Sequence, residues 1–95
     1  MEVPTFEWDP EKAAANLKAH KVSFEEAVTV FQDLLAVVHP DPDHSEGERR
    51  EILVGHSIKS HLLLVAFTDR KGRIRIISAR RANPWERGEY EEAQQ

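Results

Sequence analysis

Apolar positions open the chain at Phe6 and Trp8, which predicts a short strand around residues 6–8. After Asp9-Pro10 they fall at helical intervals, with Ala13 and Leu17 four apart on one face. Asp9 suits an N-cap, Pro10 the first helical position, and Glu11 the positive helix end. This helix is expected to end near His20. A second begins almost at once. Ser23 to Glu26 has the form of a capping box, Val22 and Ala27 are placed for a hydrophobic staple, and Phe24, Ala27, Val28 and Phe31 keep helical spacing as far as Gln32-Asp33.

The period then changes. Leu34 to His39 is apolar and partly β-branched, and Arg50 to His56 reads as another strand. Between them Pro40 to Glu48 carries two prolines and a glycine, which makes it a loop. Ser57 to His61 is a turn, and the apolar run beginning at Leu62 is a central strand. Asp69 to Gly72 is a hairpin loop with Gly72 supplying positive φ, and Arg73 to Arg80 is the last strand. Asn83-Pro84-Trp85-Glu86 opens a C-terminal helix with a strong N-cap and an acid three residues on. The order is α+β: two N-terminal helices, an antiparallel sheet of about four strands and a C-terminal helix, with the helices expected on one sheet face.

Composition adds bounds. At 95 residues the chain is expected to form a single domain, 1–95, and 40% hydrophobic with 32% charged residues is globular. There is no cysteine, hence no thiolate nucleophile and no disulfide framework, which suits a reducing cytoplasm. Met1 to Thr5 has no basic region leading into an apolar run, so no secretory signal is expected, and no apolar run is long enough for a membrane helix.

The net charge of −4 conceals an uneven distribution. Residues 1–69 hold six basic and thirteen acidic side chains, whereas 70–87 hold seven basic and one acidic. Local potential steers a phosphate more than the chain total does. In Arg73 to Arg81, strict alternation puts Ile74, Ile76, Ser78 and Arg80 on one face and Arg73, Arg75, Ile77, Ala79 and Arg81 on the other. Arg80 then stands at the strand exit beside a helix N-terminus, an arrangement suited to an anion. The competing reading is a solvated face whose arginines pair with surplus acids.

Other candidates are weaker. Trp8 is a base-stacking or a core residue. Lys12 lies in a first helical turn, against the helix dipole. His20 and His61 are candidate proton-transfer groups, and spacing does not choose between them. Asp41, Asp43, His44 and Glu46 are potential oxygen or nitrogen ligands, but the loop lacks a calcium-loop pattern and no histidine pair has zinc spacing, so neither metal nor cofactor is expected. Phosphate-loop, nucleophile-elbow and Cys-His signatures are absent.

Three blocks resemble the BrnT family of bacterial toxins. They are Phe6 to Asp9 with Lys12, Asn16 to Lys18, His20 and Val22 to Ala27; Pro42 to Arg49; and Arg73 to Ala82 with Glu86, Arg87 and Tyr90. They fall in order over residues 6–92. The resemblance implies a RelE-like fold, ribonuclease activity, and neutralisation by a BrnA-like antitoxin. That partner carries a ribbon-helix-helix domain, through which alone the complex reaches operator DNA. Pro84 and Trp85 stand where relatives often carry basic residues, and Trp85 is a candidate for stacking on a base.

Metal-free RNA cleavage needs a base for the 2′-OH, cations for the phosphorane and an acid for the leaving oxygen. Expected to share the phosphate are Arg80 first, then Arg81 with Arg75 or Lys12. His61, His20 or Glu86 are expected to move protons. Arg73, Arg87 and Tyr90 complete the expected RNA contacts. The rivals are a non-catalytic protein-binding adaptor and a metal-dependent nuclease built on the Asp41/Asp43/His44 loop.

Overall fold

In a computed structural model of the chain, residues 4–41 and 49–95 are described. The elements are β1 (Thr5–Glu7), α1 (Pro10–His20), α2 (Phe24–Thr29) running into a 3-10 turn (Val30–Gln32), β2 (Val37–Pro40), β3 (Arg50–His56), β4 (Leu62–Arg70), β5 (Arg73–Arg81) and α3 (Pro84–Ala93). The sheet order is β1-β5-β4-β3-β2. Five strands thus replace the expected four or so. Nor is the sheet wholly antiparallel, because β1 returns parallel to β5, with Glu7 opposite Arg75.

Local chemistry sets the boundaries. Asp9 caps α1 through the Glu11 amide at 2.8 Å, and Lys21 closes it in the left-handed region at φ 60. In α2 the Thr29 hydroxyl donates back to the Glu26 carbonyl at 2.6 Å, and the chain tightens into the 3-10 turn instead of continuing to Asp33 as a helix. Asp33 then makes its own turn, accepting from the Leu35 amide at 3.0 Å, so β2 starts three residues later than the apolar pattern suggests. Lys71 and Gly72, at φ 53 and 84, form the two-residue hairpin between β4 and β5.

The core lies between the sheet and the α1–α2 layer. Phe24, Val30, Leu63, Val65 and Ile76 are buried there. Phe31 meets Phe6 and Phe67 edge-on at 5.0 and 5.1 Å. Each such side chain contributes about 1.5–3 kcal/mol by burial. Trp8 belongs to this layer, edge-on to Phe24 at 6.0 Å. A second, smaller cluster on the opposite face joins Tyr90 of α3 to Val54 and Leu62, with Val37, Ile52 and Leu64 against them. The helices therefore divide between the two faces, because β3 and β4 are apolar on both. Residues of β4 alternate between the two clusters, Leu63 and Val65 in one, Leu62 and Leu64 in the other.

Candidate active site

Strand β5 does not keep its alternation. Ala66 pairs with Ser78 and Phe67 with Ile76, so Ile77 has no partner in the register. One extra residue reverses the phase of everything after it. Ile74, Ile76 and Ala79 all pack toward the α1–α2 core. Arg81 follows on that side and Arg80 goes to the other. The two arginines that simple alternation also separates thus exchange faces.

The bulged end is held by Asn16. Its amide nitrogen donates to the carbonyls of Ala79 at 2.8 Å and Val22 at 2.9 Å, and its oxygen accepts from the Ala79 amide at 3.1 Å. β1 ends opposite Arg75, and farther along β5 the buried Asn16 side chain serves as a substitute strand at Ala79.

Arg81 meets His61. Its Nη2 lies 2.9 Å from His61 Nε2 and 3.3 Å from Nδ1. Nδ1 is engaged at 2.9 Å from Glu26 Oε2, and the Arg81 guanidinium, close to both ring nitrogens, lies over the imidazole ring. His61 keeps 30% of its side-chain surface exposed, whereas Glu26 keeps 5%. Ser57 ties the group together. Its hydroxyl donates to Glu26 Oε2 at 2.7 Å and accepts from the amides of Lys59 at 3.2 Å and His61 at 3.3 Å. Burial by itself raises the Glu26 carboxyl. The Ser57 hydroxyl and His61, with Lys59 farther off, outweigh it and hold Glu26 below its ordinary 4.5.

Glu26 is therefore not the capping-box partner that its spacing from Ser23 predicts. Ser23 does cap α2, accepting from the Glu26 amide at 3.0 Å, but the Glu26 side chain turns to Ser57 and His61. Neither Glu26 nor Ser57 stood out as chemistry in the sequence. The available signal is that Glu26 lies four residues from both Val22 and Val30, on the face α2 buries.

Arg80 is occupied elsewhere. Nη1 and Nη2 donate to Glu86 Oε1 and Oε2 at 2.8 and 2.7 Å, a two-point pair. Glu86 also accepts from the Asn83 amide at 2.9 Å while Asn83 accepts from the Glu86 amide at 2.8 Å, completing the expected capping box of α3. The pair with Arg80 lowers the Glu86 carboxyl from 4.5 and raises the Arg80 guanidinium from its ordinary value. Arg75 lies 2.9 Å and Arg73 3.8 Å from Glu7. Much of the basic stretch is thus paired, whereas Arg81 meets no carboxylate among the described residues.

The remaining candidates are dispersed. Lys12 and His20 are exposed on α1, their side chains without a hydrogen bond or ion pair among the described residues. Arg87 and Trp85 are exposed on α3, Trp85 at 72%. Tyr90 is buried, edge-on to His56 at 5.6 Å, with its hydroxyl 3.4 Å from the Leu35 carbonyl. Asp43, His44 and Glu46 of the acidic loop lie outside the described residues. Among the described residues no group of three His, Cys, Asp or Glu is placed to hold a metal ion, and no helix is long and apolar enough to cross a membrane.

A sequence model described as "Ribonuclease toxin, BrnT, of type II toxin-antitoxin system" matches residues 8–86. The chain belongs to the BrnT family of ribonuclease toxins. The fold agrees: the crystal structure of the Brucella abortus ribonuclease toxin BrnT superposes with a TM-score of 0.67. That match covers 85% of this chain and 99% of the Brucella one at 21% identity. A comparison with curated proteins found no match. As a BrnT-family toxin of a type II module, the chain has an antitoxin as its expected counterpart. The matched residues 8–86 span α1 through the first turn of α3, and so take in Glu26, Ser57, His61 and Arg81.

Proposed function

We propose that this BrnT-family chain cleaves RNA without a metal ion, by attack of a ribose 2′-OH on the adjacent phosphodiester, with His61 and Arg81 at the reacting atoms. The observation that carries this reading is the 2.9 Å contact of the Arg81 guanidinium with His61 Nε2 at the open end of β5. A phosphate drawn to Arg81 arrives beside an imidazole nitrogen, which is the proximity such a reaction requires. His61 takes the 2′-OH proton, the 2′-oxygen bonds to phosphorus, and the bond to the 5′-oxygen breaks. Arg81 meets the charge that develops on the phosphorane oxygens. Arg80 and Glu86 hold the helix start beside this point. Glu86 is a poor proton donor there, because its pair with Arg80 favours the charged carboxylate.

Trp85 and Arg87 on α3 offer a stacking face and a cation to flanking nucleotides, with Lys12, Arg73 and Arg75 as outer phosphate contacts. The partner under this reading is a BrnA-like ribbon-helix-helix antitoxin, which alone contacts operator DNA. An adjacent reading frame for such a protein is the simplest check of that partner.

The activity test is purified chain with RNA, with and without EDTA. Cleavage is expected in both. His61→Ala is expected to lose about 10²–10⁴-fold and Arg81→Ala about 10²–10³-fold. A folded His61→Ala protein that cuts at the wild-type rate sinks the assignment. Loss of cutting in EDTA transfers the chemistry to a metal and the Asp41–Glu46 loop.

A further inference from the structure

We propose that Glu26 is the positioning residue of this site, fixing His61 in the tautomer with its proton on Nδ1 and leaving Nε2 as the base beside Arg81. The reaction this serves rests on the ribonuclease reading above, but the tautomer does not.

Glu26 is the least exposed of the three side chains, and its oxygen Oε2 is shared by the Ser57 hydroxyl at 2.7 Å and His61 Nδ1 at 2.9 Å. An ionised carboxylate only accepts, so Nδ1 must carry the proton in that bond. Arg81 lies over the ring, 2.9 Å from Nε2 and 3.3 Å from Nδ1, and a guanidinium has no lone pair with which to hold a proton on Nε2. Glu26 therefore sets the tautomer, and Arg81 offers the other one no partner. The rest of the environment does not oppose it. The charged groups facing His61 are Glu26 from α2 and Arg81 from β5, with Lys59 of the same turn acting on Glu26.

Two consequences follow for a reaction at this site. The base already presents the correct nitrogen, and the imidazolium formed when Nε2 takes the 2′-OH proton is met by a carboxylate on its far side. The 2′-oxygen then holds the phosphorus bond, the 5′-oxygen departs, and that oxygen takes its proton from water. Arg81 lies against the same ring, so a phosphodiester drawn to its guanidinium brings a 2′-OH within reach of Nε2.

The test is nitrogen NMR of protein labelled with ¹⁵N in histidine, alone and with a 2′-O-methyl RNA oligonucleotide that cannot be cut. In the free wild type His61 is expected to show a protonated Nδ1 and an unprotonated Nε2. The oligonucleotide is expected to shift the Nε2 signal while Nδ1 holds. In Glu26→Gln, whose side-chain amide either donates or accepts, the tautomers are expected to mix. Its kcat is expected to fall about 10–10²-fold with KM little changed, since Arg81 is untouched. A proton on Nε2 in the free wild type overturns the proposal, as does an Nε2 signal unmoved by saturating oligonucleotide. So does a Glu26→Gln protein of wild-type kcat. If Glu26→Gln does not fold, the wild-type spectra still decide. Expected spectra from a protein that cuts no RNA uphold this arrangement and defeat the ribonuclease reading. RNA cutting with the opposite tautomer does the reverse.

Discussion

Gly55 shows how closely single residues are fitted around the Asp33 turn. A Cβ there would stand 2.8 Å from Ala36 Cβ, 2.9 Å from Asp33 Oδ2 and 3.1 Å from Val30 Cγ1. Asp33 cannot yield freely, because the same oxygen accepts from the His56 amide at 2.8 Å. Gly55→Ala is therefore expected to destabilise the fold by about 1–3 kcal/mol, read as a lower urea midpoint at unchanged slope. An unchanged midpoint would show that the turn relaxes at no cost. At this scale the sequence was only partly informative. His61 and Arg81 were visible because few residue types handle protons or phosphates. Glu26 was hidden by its spacing from Ser23, since a helix start accounts for an acid there as well as a histidine 35 residues away does. Long-range pairs leave no local trace.

At the scale of elements, the period along β5 is what sequence reading misjudges. Alternation is a property of a regular ladder, and the skipped Ile77 ends it midway through the strand. Nothing in Ile76-Ile77-Ser78 announces a bulge, because both isoleucines suit either face. The consequence is that Arg80, the first choice by position, secures α3 while Arg81 joins His61. Two variants separate these roles. Arg80→Ala, removing a pair exposed by 43% on the arginine side, is expected to cost no more than about 1 kcal/mol of stability and to weaken cutting less than Arg81→Ala does. Asn16→Leu removes the substitute strand and leaves the Ala79 amide and carbonyl unpaired in a buried place, at about 1–3 kcal/mol for each group. It is expected to unfold in less urea and, where still folded, to lose the His61–Arg81 contact. Wild-type stability of Asn16→Leu would refute the clamp. The helices, hairpin and capping box of α3 were legible because caps and turns are local. The parallel edge strand β1 was legible only as a short apolar stretch, since its partner lies 68 residues on.

Over the whole molecule, charge is arranged by pairing more than by stretches. Of the bases at 70–87, Arg73 and Arg75 meet Glu7 and Arg80 meets Glu86, while Lys71, Arg81 and Arg87 have no carboxylate partner among the described residues. The same pairing sets the response to acid. Glu26 and Glu86 are held below 4.5. Asp33 is held below 3.8, mainly by the His56 amide. A carboxylate depressed on folding adds stability that is complete above its ordinary value and disappears as pH falls through its folded one. Urea midpoints are therefore expected to be flat above about pH 5 and to decline steadily below 4.5, with Glu26→Gln showing a shallower decline. A midpoint unchanged at pH 3.5 would contradict this.

The parallel pairing of β1 with β5 also bears on synthesis. Asn16, Glu26, His61 and Arg81 come from three widely separated parts of the chain, and the strand that completes both core and site is the last one made. Contacts of such long sequence separation form slowly, after the loops between them have closed. Under the proposed assignment, a chain released before β5 lacks Arg81 and with it the group that would hold a phosphate. The toxin would then gain its cutting site only once β5 has emerged and docked.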